Sequence, residues 1–351
     1  FFSPLAARFL MPSEAQLKAT ELRRRELLRK SREGNVWSML GTWHGTILPD
    51  ILKSPALFFN ILLYFGFRAL MRFVWTDKND WPSIQPSQIG IIGGFMSFFL
   101  VFFASQTYSR FNAQYNSCMA CEGAILDACT VARASKMPYD YCLRMQRHLN
   151  AVHILGYIGL SDVYNYDNFF HWFNEEHKLL NEEEVSRVKD IGVDGGTSAH
   201  REIVVWLLMF VNEQLELQHL SVMGARNIQT QILTLRDQLA VLYEHADQPI
   251  PFIYVHMVYL LTSAYLPIFS YGMAYIEMNP AARRPEIIGS MLVTLNLIFV
   301  VGIRVLGKKL SDPFGADVED LSTMHYVEHT NAESLRIIHA QPPPWEAEKE
   351  V

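Results

Sequence analysis

Residues 89–105 read IGIIGGFMSFFLVFFAS, without a formal charge and almost wholly apolar. The charge-free interval is wider still, running from Asp80 to Arg110. A helix rises about 1.5 Å per residue, so about 20 such residues cross the hydrocarbon of a bilayer. Three other stretches have the same character. Residues 249–276 carry no formal charge, and His256 is the only group among them that titrates near neutral pH. Residues 287–303 form a third run. Residues 56–75 form a fourth, interrupted by Arg68 and Arg72, whose long side chains can snorkel toward headgroups. The count predicts four membrane spans.

The composition agrees. Of 351 residues, 50% are hydrophobic and 19% charged, against about 25% charged in a soluble domain. A formal net charge of −6 excludes a broadly basic nucleic-acid binder. Basic residues cluster at 22–25 and 28–32, which reads as a solvated helix face before it reads as a contact for anionic lipid. Four cysteines are too few for a disulfide framework in this length. Cys118 and Cys121 form a lone CxxC with no second pair, which reads as packed, reduced thiols rather than as a zinc site. The chain begins with Phe1 rather than Met, as a fragment or a processed form would.

Between the apolar blocks, residues 110–247 have mixed charge and helical periodicity. The apolar run 203–211 is too short to span and reads as a buried core helix. Asn181 ahead of Glu182, Glu183 and Glu184 reads as an N-cap with acids in the first turn. Pro249 and Pro251 enter the third span, whereas Pro267 inside it predicts a kink or an interruption. Residues 76–87 join the first pair of spans, and a short connection with Asn279, Pro280 and Pro285 makes the last two a tight pair. No alternating strand pattern and no internal repeat is present. The expected architecture is an all-α integral membrane protein, with paired spans at each end of a long helical insert. After Asn331 the polar, proline-containing tail is expected to be extended or disordered.

An enzyme would need a convergent constellation. His171 and His177 near Glu175 and Glu176, or Glu213 with Glu216, are the places to look for a di-metal bundle, but the paired Glu-x-x-His pattern is missing. There is no phosphate-binding glycine loop and no nucleophile elbow. The sequence therefore predicts a non-enzyme.

The last span exits through Lys308-Lys309-Leu310-Ser311-Asp312-Pro313-Phe314-Gly315-Ala316-Asp317-Val318-Glu319-Asp320-Leu321. This resembles the acidic loop of the bestrophins, an Asn-Pro-Phe-Gly core followed by a run of acids. Trp43-His44-Gly45-Thr46 looks like that family's Trp-Arg-Gly-Ser motif. Arg110 with Gln114 and Tyr115 looks like the exit of its second span, and Ile250-Pro251-Phe252-Ile253-Tyr254 like the entry to its third. The spacing from Arg110 through Pro251 to Pro313 also fits, so the similarity covers about residues 36–335.

On its own, the loop is a solvated acidic turn that lacks EF-hand spacing, with Asp312, Asp317, Glu319 and Asp320 placed within nine residues around Gly315. The resemblance implies a calcium clasp built on these four carboxylates and completed by a backbone carbonyl near the N-terminus. Two departures stand out. Lys309 occupies the position of a glutamine that contributes a ligand oxygen in the family, and an ammonium cannot ligate calcium. Val318 replaces an acid, while Asp312 restores one charge where animal members have Asn.

Phe98 and Phe102 are four residues apart and share a helix face with Gly94 one turn earlier. Taken alone, this face meets lipid or neighbouring helices. The resemblance implies that Gly94, Phe98 and Phe102 line a hydrophobic pore neck, with Gly94 departing from a bulky aliphatic residue. It further implies a cytosolic aperture; counting back from Pro251 places Met223 there, with Val222 as its nearest competitor.

The implied protein is a homopentameric anion channel around a central pore in a lipid bilayer, opened by calcium. It passes chloride or bicarbonate and sits in the plasma membrane or the chloroplast thylakoid membrane. Within it, residues 1–54 are an N-terminal arm with amphipathic helices, 55–109 the first spanning pair with the neck helix, and 110–247 the helical cytosolic region. Residues 248–306 are the second spanning pair, 307–335 the acidic loop and its helix, and 336–351 the tail.

Overall fold

The computed structural model describes residues 13–43, 45–75, 81–161, 163–192, 198–278 and 286–341. Residues 1–12, 44, 76–80, 162, 193–197, 279–285 and 342–351 lie outside the described residues, and with them most of the expected N-terminal arm, the connection between the last two spans and most of the expected tail. No strand occurs among the described residues. In chain order the helices are α1 (Glu14–Glu33), α2 (Val36–Leu40), α3 (Leu48–Lys53), α4 (Pro55–Phe73), α5 (Pro86–Arg133) and α6 (Tyr139–Leu155). A π-helical turn at Tyr166–His171 leads into α7 (Trp172–His177) and α8 (Glu182–Asp190). There follow α9 (Ser198–Glu216), α10 (Val222–Asp247), α11 (Phe252–Met278), α12 (Glu286–Ser311) and α13 (Thr323–Ile338).

The chain divides into a spanning unit, Leu27–Phe111 with Gln248–Pro313, and a polar unit, Phe1–Glu26 with Asn112–Asp247 and Phe314–Val351. The four expected spans are present: Pro55–Phe73, Pro86–Arg133, Phe252–Glu277 and Ile288–Ser311 are long and apolar enough to cross a membrane. One outruns its expectation. Helix α5 does not stop where charge resumes at Arg110 but continues to Arg133, because the next proline is Pro138 and Gly123 is the only intervening glycine.

In the spanning unit, α11 packs on α4 and α12, and α12 also packs on α3 and α4. Leu57, Tyr64 and Met71 on α4 recur at heptad spacing and are buried together with Val258, Leu266, Val293, Leu297 and Val300. Lipid is as apolar as leucine, so close packing and polar contacts, rather than water exclusion, hold such helices together. Gly307 serves that packing: a Cβ there would run into the Phe103 ring of α5. Pro267 lies inside α11, which nevertheless continues unbroken from Phe252 to Met278, so the expected interruption is not found.

Arg68 also differs from expectation. It does not snorkel outward but keeps a side-chain exposure of 16%, with Nη1 3.6 Å from the Glu277 carboxylate on α11, which is 5% exposed. The Tyr64 hydroxyl donates to the same carboxylate. Charge is expensive at membrane depth, so a guanidinium one turn from Tyr64 turns toward the acid that neutralises it. Arg72 is exposed.

In the polar unit the second half of α6 is buried without interruption and packs on α9 and α13. The short apolar run is a core helix, as expected: Ile203, Leu207 and Val211 on α9 are fully buried at four-residue spacing. Ile228, Ile232, Leu235, Leu239 and Leu242 form the matching stripe on α10. Each such side chain contributes roughly 1.5–3 kcal/mol by leaving water. Cys118, Cys121, Cys129 and Cys142 are free thiols buried in this core. The predicted cap holds: Asn181 Oδ1 accepts the Glu184 N–H at 2.8 Å, and Glu184 Oε2 accepts the Asn181 N–H at 2.9 Å. The chain past Asn331 is not extended, since α13 runs on to Ile338. Gln146 Nε2 donates to Asn331 Oδ1 at 3.1 Å and to the Ser334 hydroxyl at 3.0 Å, which ties those turns to α6.

Candidate functional site

Helix α5 presents two apolar faces. Ile89, Met96, Leu100 and Phe103 are buried against the spanning unit. Gly94, Phe98 and Phe102 fall on the other face, where Phe98 is 66% and Phe102 46% exposed. Four-residue spacing on a 3.6-residue helix keeps these three in one file. Ile91, Gly94, Phe95, Phe98 and Phe99 line a shallow apolar hollow along it. A Cβ added at Gly94 would meet no atom within 4 Å, so the file is open at that level. Phe102 is held from behind by an edge-on contact with the Tyr254 ring of α11. Apolar exposure alone is not distinctive, because Phe58, Leu62, Leu260 and Leu295 on the other spans are exposed too.

Met223 lies in the first turn of α10 and is 66% exposed, beside Val222 at 75%. That turn is anchored by buried Leu220 and by the Ser221 hydroxyl, which accepts the Gly224 N–H at 3.0 Å. Gln218 just ahead has φ 57°, the left-handed conformation that turns the chain out of α9.

The acidic loop follows α12. Asp312 belongs to the spanning unit, where Lys309 Nζ lies 3.0 Å from the Asp50 carboxylate of α3. The remaining acids belong to the polar unit. There Phe314 is buried, and its carbonyl accepts the Ser161 hydroxyl at 2.6 Å. Asp320 Oδ2 accepts the Asp317 N–H at 2.7 Å and lies against Gly315, so closely that a Cβ at 315 would collide with it. Arg24 of α1 reaches this loop. Its Nη2 donates to the Asp317 carbonyl at 2.9 Å, its Nε to the Val318 carbonyl at 3.0 Å, and its Nη1 to Glu21 at 2.8 Å. Glu21 also accepts from Arg25 at 3.1 Å and from the Ser322 hydroxyl. Burial raises the Glu21 pKa, but the Ser322 hydrogen bond, the charge of Arg24 and the hydrogen bonds from Arg25 and Arg24 outweigh it and hold the carboxyl below its ordinary value.

Calcium takes six to eight oxygens around one point, and among the described residues no three His, Cys, Asp or Glu side chains converge. The Asp320 carboxylate closes its own turn, and two carbonyls of the loop face a guanidinium.

Sequence reading missed Glu21 and Arg24, taking 22–25 for a solvated face. Glu21 is buried at 6% while Leu22 beside it is 68% exposed, an inversion of the usual hydrophobic pattern. The usable signal was a single acid set three residues ahead of an arginine in a basic run.

A family model with the description "Bestrophin, RFP-TM, chloride channel" matches residues 25–340. Bestrophin homolog 14 of Caenorhabditis elegans is 21% identical over 304 residues, covering 84% of this chain and 73% of that protein. A bacterial bestrophin homolog from Klebsiella pneumoniae has a crystal structure similar to this chain, with TM-score 0.68 at 17% identity, covering 82% of this chain and 98% of that one. A point variant of that homolog reaches TM-score 0.71 at 17% identity, covering 85% and 100%. At these identities the structural likeness speaks to the fold.

Proposed function

The chain belongs to the bestrophin family, and from that premise we propose that it is one subunit of a homopentameric chloride channel with Gly94, Phe98 and Phe102 as its neck. It is a multi-pass integral membrane protein with the fold of that chloride-channel family. The observation that carries the proposal is the open file on α5, where Phe98 and Phe102 stand exposed within the charge-free residues 81–109. Five such files around an axis make stacked rings of phenylalanine under a wider ring at Gly94. A narrow apolar ring gates by losing its water. Phenyl edges carry partial positive charge, so a partly dehydrated anion crosses them at lower cost than a cation. Selectivity then needs no ring of lysine or arginine, and residues 81–109 contain neither.

In this reading Met223 is the second constriction, and its flexible thioether makes that aperture a soft one. Chloride is the first permeant ion and bicarbonate a second, since both are small monovalent anions. The acidic loop is the control element that the resemblance assigns to calcium. The test is halide influx into liposomes holding the purified protein and a halide-quenched dye. The expected result is influx that Phe98→Ala alters. A wild-type protein without influx, with or without calcium, would point instead to a membrane scaffold without a pore.

A further inference from the structure

We infer that Arg24 is the resident cation of the acidic loop and holds it in the braced state that calcium would otherwise impose, so that the loop needs no metal. Calcium gathers carbonyl and carboxylate oxygens into one shell. Here the oxygens of two consecutive peptide groups, Asp317 and Val318, are already gathered by one side chain, at 2.9 and 3.0 Å. A guanidinium suits this task, because its planar fork of donors is rigid and its charge does not titrate.

The fork is itself immobilised. Its third contact is Glu21, whose other partners are Arg25 and the Ser322 hydroxyl immediately after the loop. One buried acid thus ties both ends of the brace, α1 and the start of α13, to each other. The Arg24 side chain is only 11% exposed; its bonds to Val318 and Glu21 are partly buried, and its bond to Asp317 lies at the surface. A divalent cation brought to the same carbonyls would meet the fixed positive charge of Arg24 and would have to displace it. The loop's composition accords with this: Val318 removes one acid, and Asp320 is engaged in closing the turn at Asp317. At Lys309 a second fixed cation is matched to Asp50 in the spanning unit.

The brace is a claim about the polar unit alone, and its consequence, conduction without calcium, rests on the channel reading. Hydrogen exchange of residues 315–320 in the full-length purified protein tests it, in chelator and in millimolar calcium. Wild-type exchange should be the same in both conditions, and Arg24→Gln should speed it about tenfold by freeing the loop. Arg24→Lys, which keeps the charge but loses the fork, should fall between. Slower wild-type exchange on adding calcium would overturn the inference, and so would an Arg24→Gln protein with unchanged exchange. If Arg24→Gln fails to fold, the calcium arm on wild type and the Arg24→Lys variant decide. Halide influx should likewise be equal in chelator and calcium. Absence of influx in both would count against the channel reading, whereas the exchange result judges the brace whatever the current.

Discussion

The Phe102 ring meets the Tyr254 ring edge-on, with centroids 5.9 Å apart and planes at 89°. The contact fixes which way Phe102, one of the proposed neck residues, points, through a residue on a different span. Such a pair contributes about 0.5–1.5 kcal/mol beyond its burial, equivalent to roughly a two- to tenfold shift between two orientations. Tyr254→Ala should therefore change the open fraction of the channel by that factor. Tyr254→Phe should leave it unchanged, because the hydroxyl is buried with no hydrogen-bond partner among the described residues. Single-channel recording separates the two. Equal effects of Ala and Phe would show that the ring contact is not what matters.

Gly94 and Gly307 should respond oppositely to substitution. Nothing lies within 4 Å of a Cβ at Gly94, so Gly94→Val should fold normally and, on the proposed neck, reduce conductance several-fold by narrowing the ring at that level. At Gly307 the added methyl meets the Phe103 ring. Gly307→Ala should cost about 1–3 kcal/mol of stability through overpacking. Thermal unfolding in detergent, paired with conductance, checks both; a destabilised Gly94→Val would contradict the open file.

The Tyr64, Arg68 and Glu277 cluster predicts strong coupling. Arg68→Leu leaves the Glu277 carboxylate buried beside the Tyr64 hydroxyl without the Arg68 charge. The cost should be about 3–5 kcal/mol, the usual penalty for an uncompensated buried charge. The double variant Arg68→Leu with Glu277→Leu should recover much of that loss. Additive losses in unfolding measurements would mean that the pair does not act as a unit.

Acid should loosen the polar unit in two stages. His153 is wholly buried, and burial lowers its pKa from 6.5 to about 3. Glu184 is raised by burial, but the hydrogen bonds from His148 and the Asn181 N–H, with the charges of His148 and Arg147, hold it at about 2 rather than 4.5. In both cases the unfolded chain takes up a proton at a pH where the folded chain does not, so stability falls with pH. It is full above the ordinary histidine value of 6.5, declines from there toward 3 on account of His153, and declines further between 4.5 and 2 on account of Glu184. Unfolding temperatures between about pH 7.5 and 4.5 should drop, and His153→Phe should flatten that slope. An unchanged slope in the variant would remove His153 from the account.

Much of the spanning unit was legible in advance because charge-free runs of about 20 residues have few alternatives. The four spans and the core helix at 203–211 follow from that rule. What escaped was decided by pairing rather than by pattern. Arg68 reads as a snorkelling residue until Glu277, two hundred residues away, is brought beside it. Arg24 reads as surface until the loop after α12 presents its carbonyls. The length of α5 escaped for a different reason: a helix ends where its backbone is broken, and a change from apolar to charged side chains does not break it. For Gly94, Phe98 and Phe102, periodicity showed that the residues share a face, while the neck role proposed for that face came from the family resemblance.

The most direct test is the reversal potential of purified wild-type protein in a planar bilayer across a potassium chloride gradient. An anion-selective pore gives a reversal potential near the chloride equilibrium potential, and Phe98→Ala with Phe102→Ala should move it toward zero as the neck loses its rings. A reversal potential near that of potassium, or the absence of any current, would contradict the account.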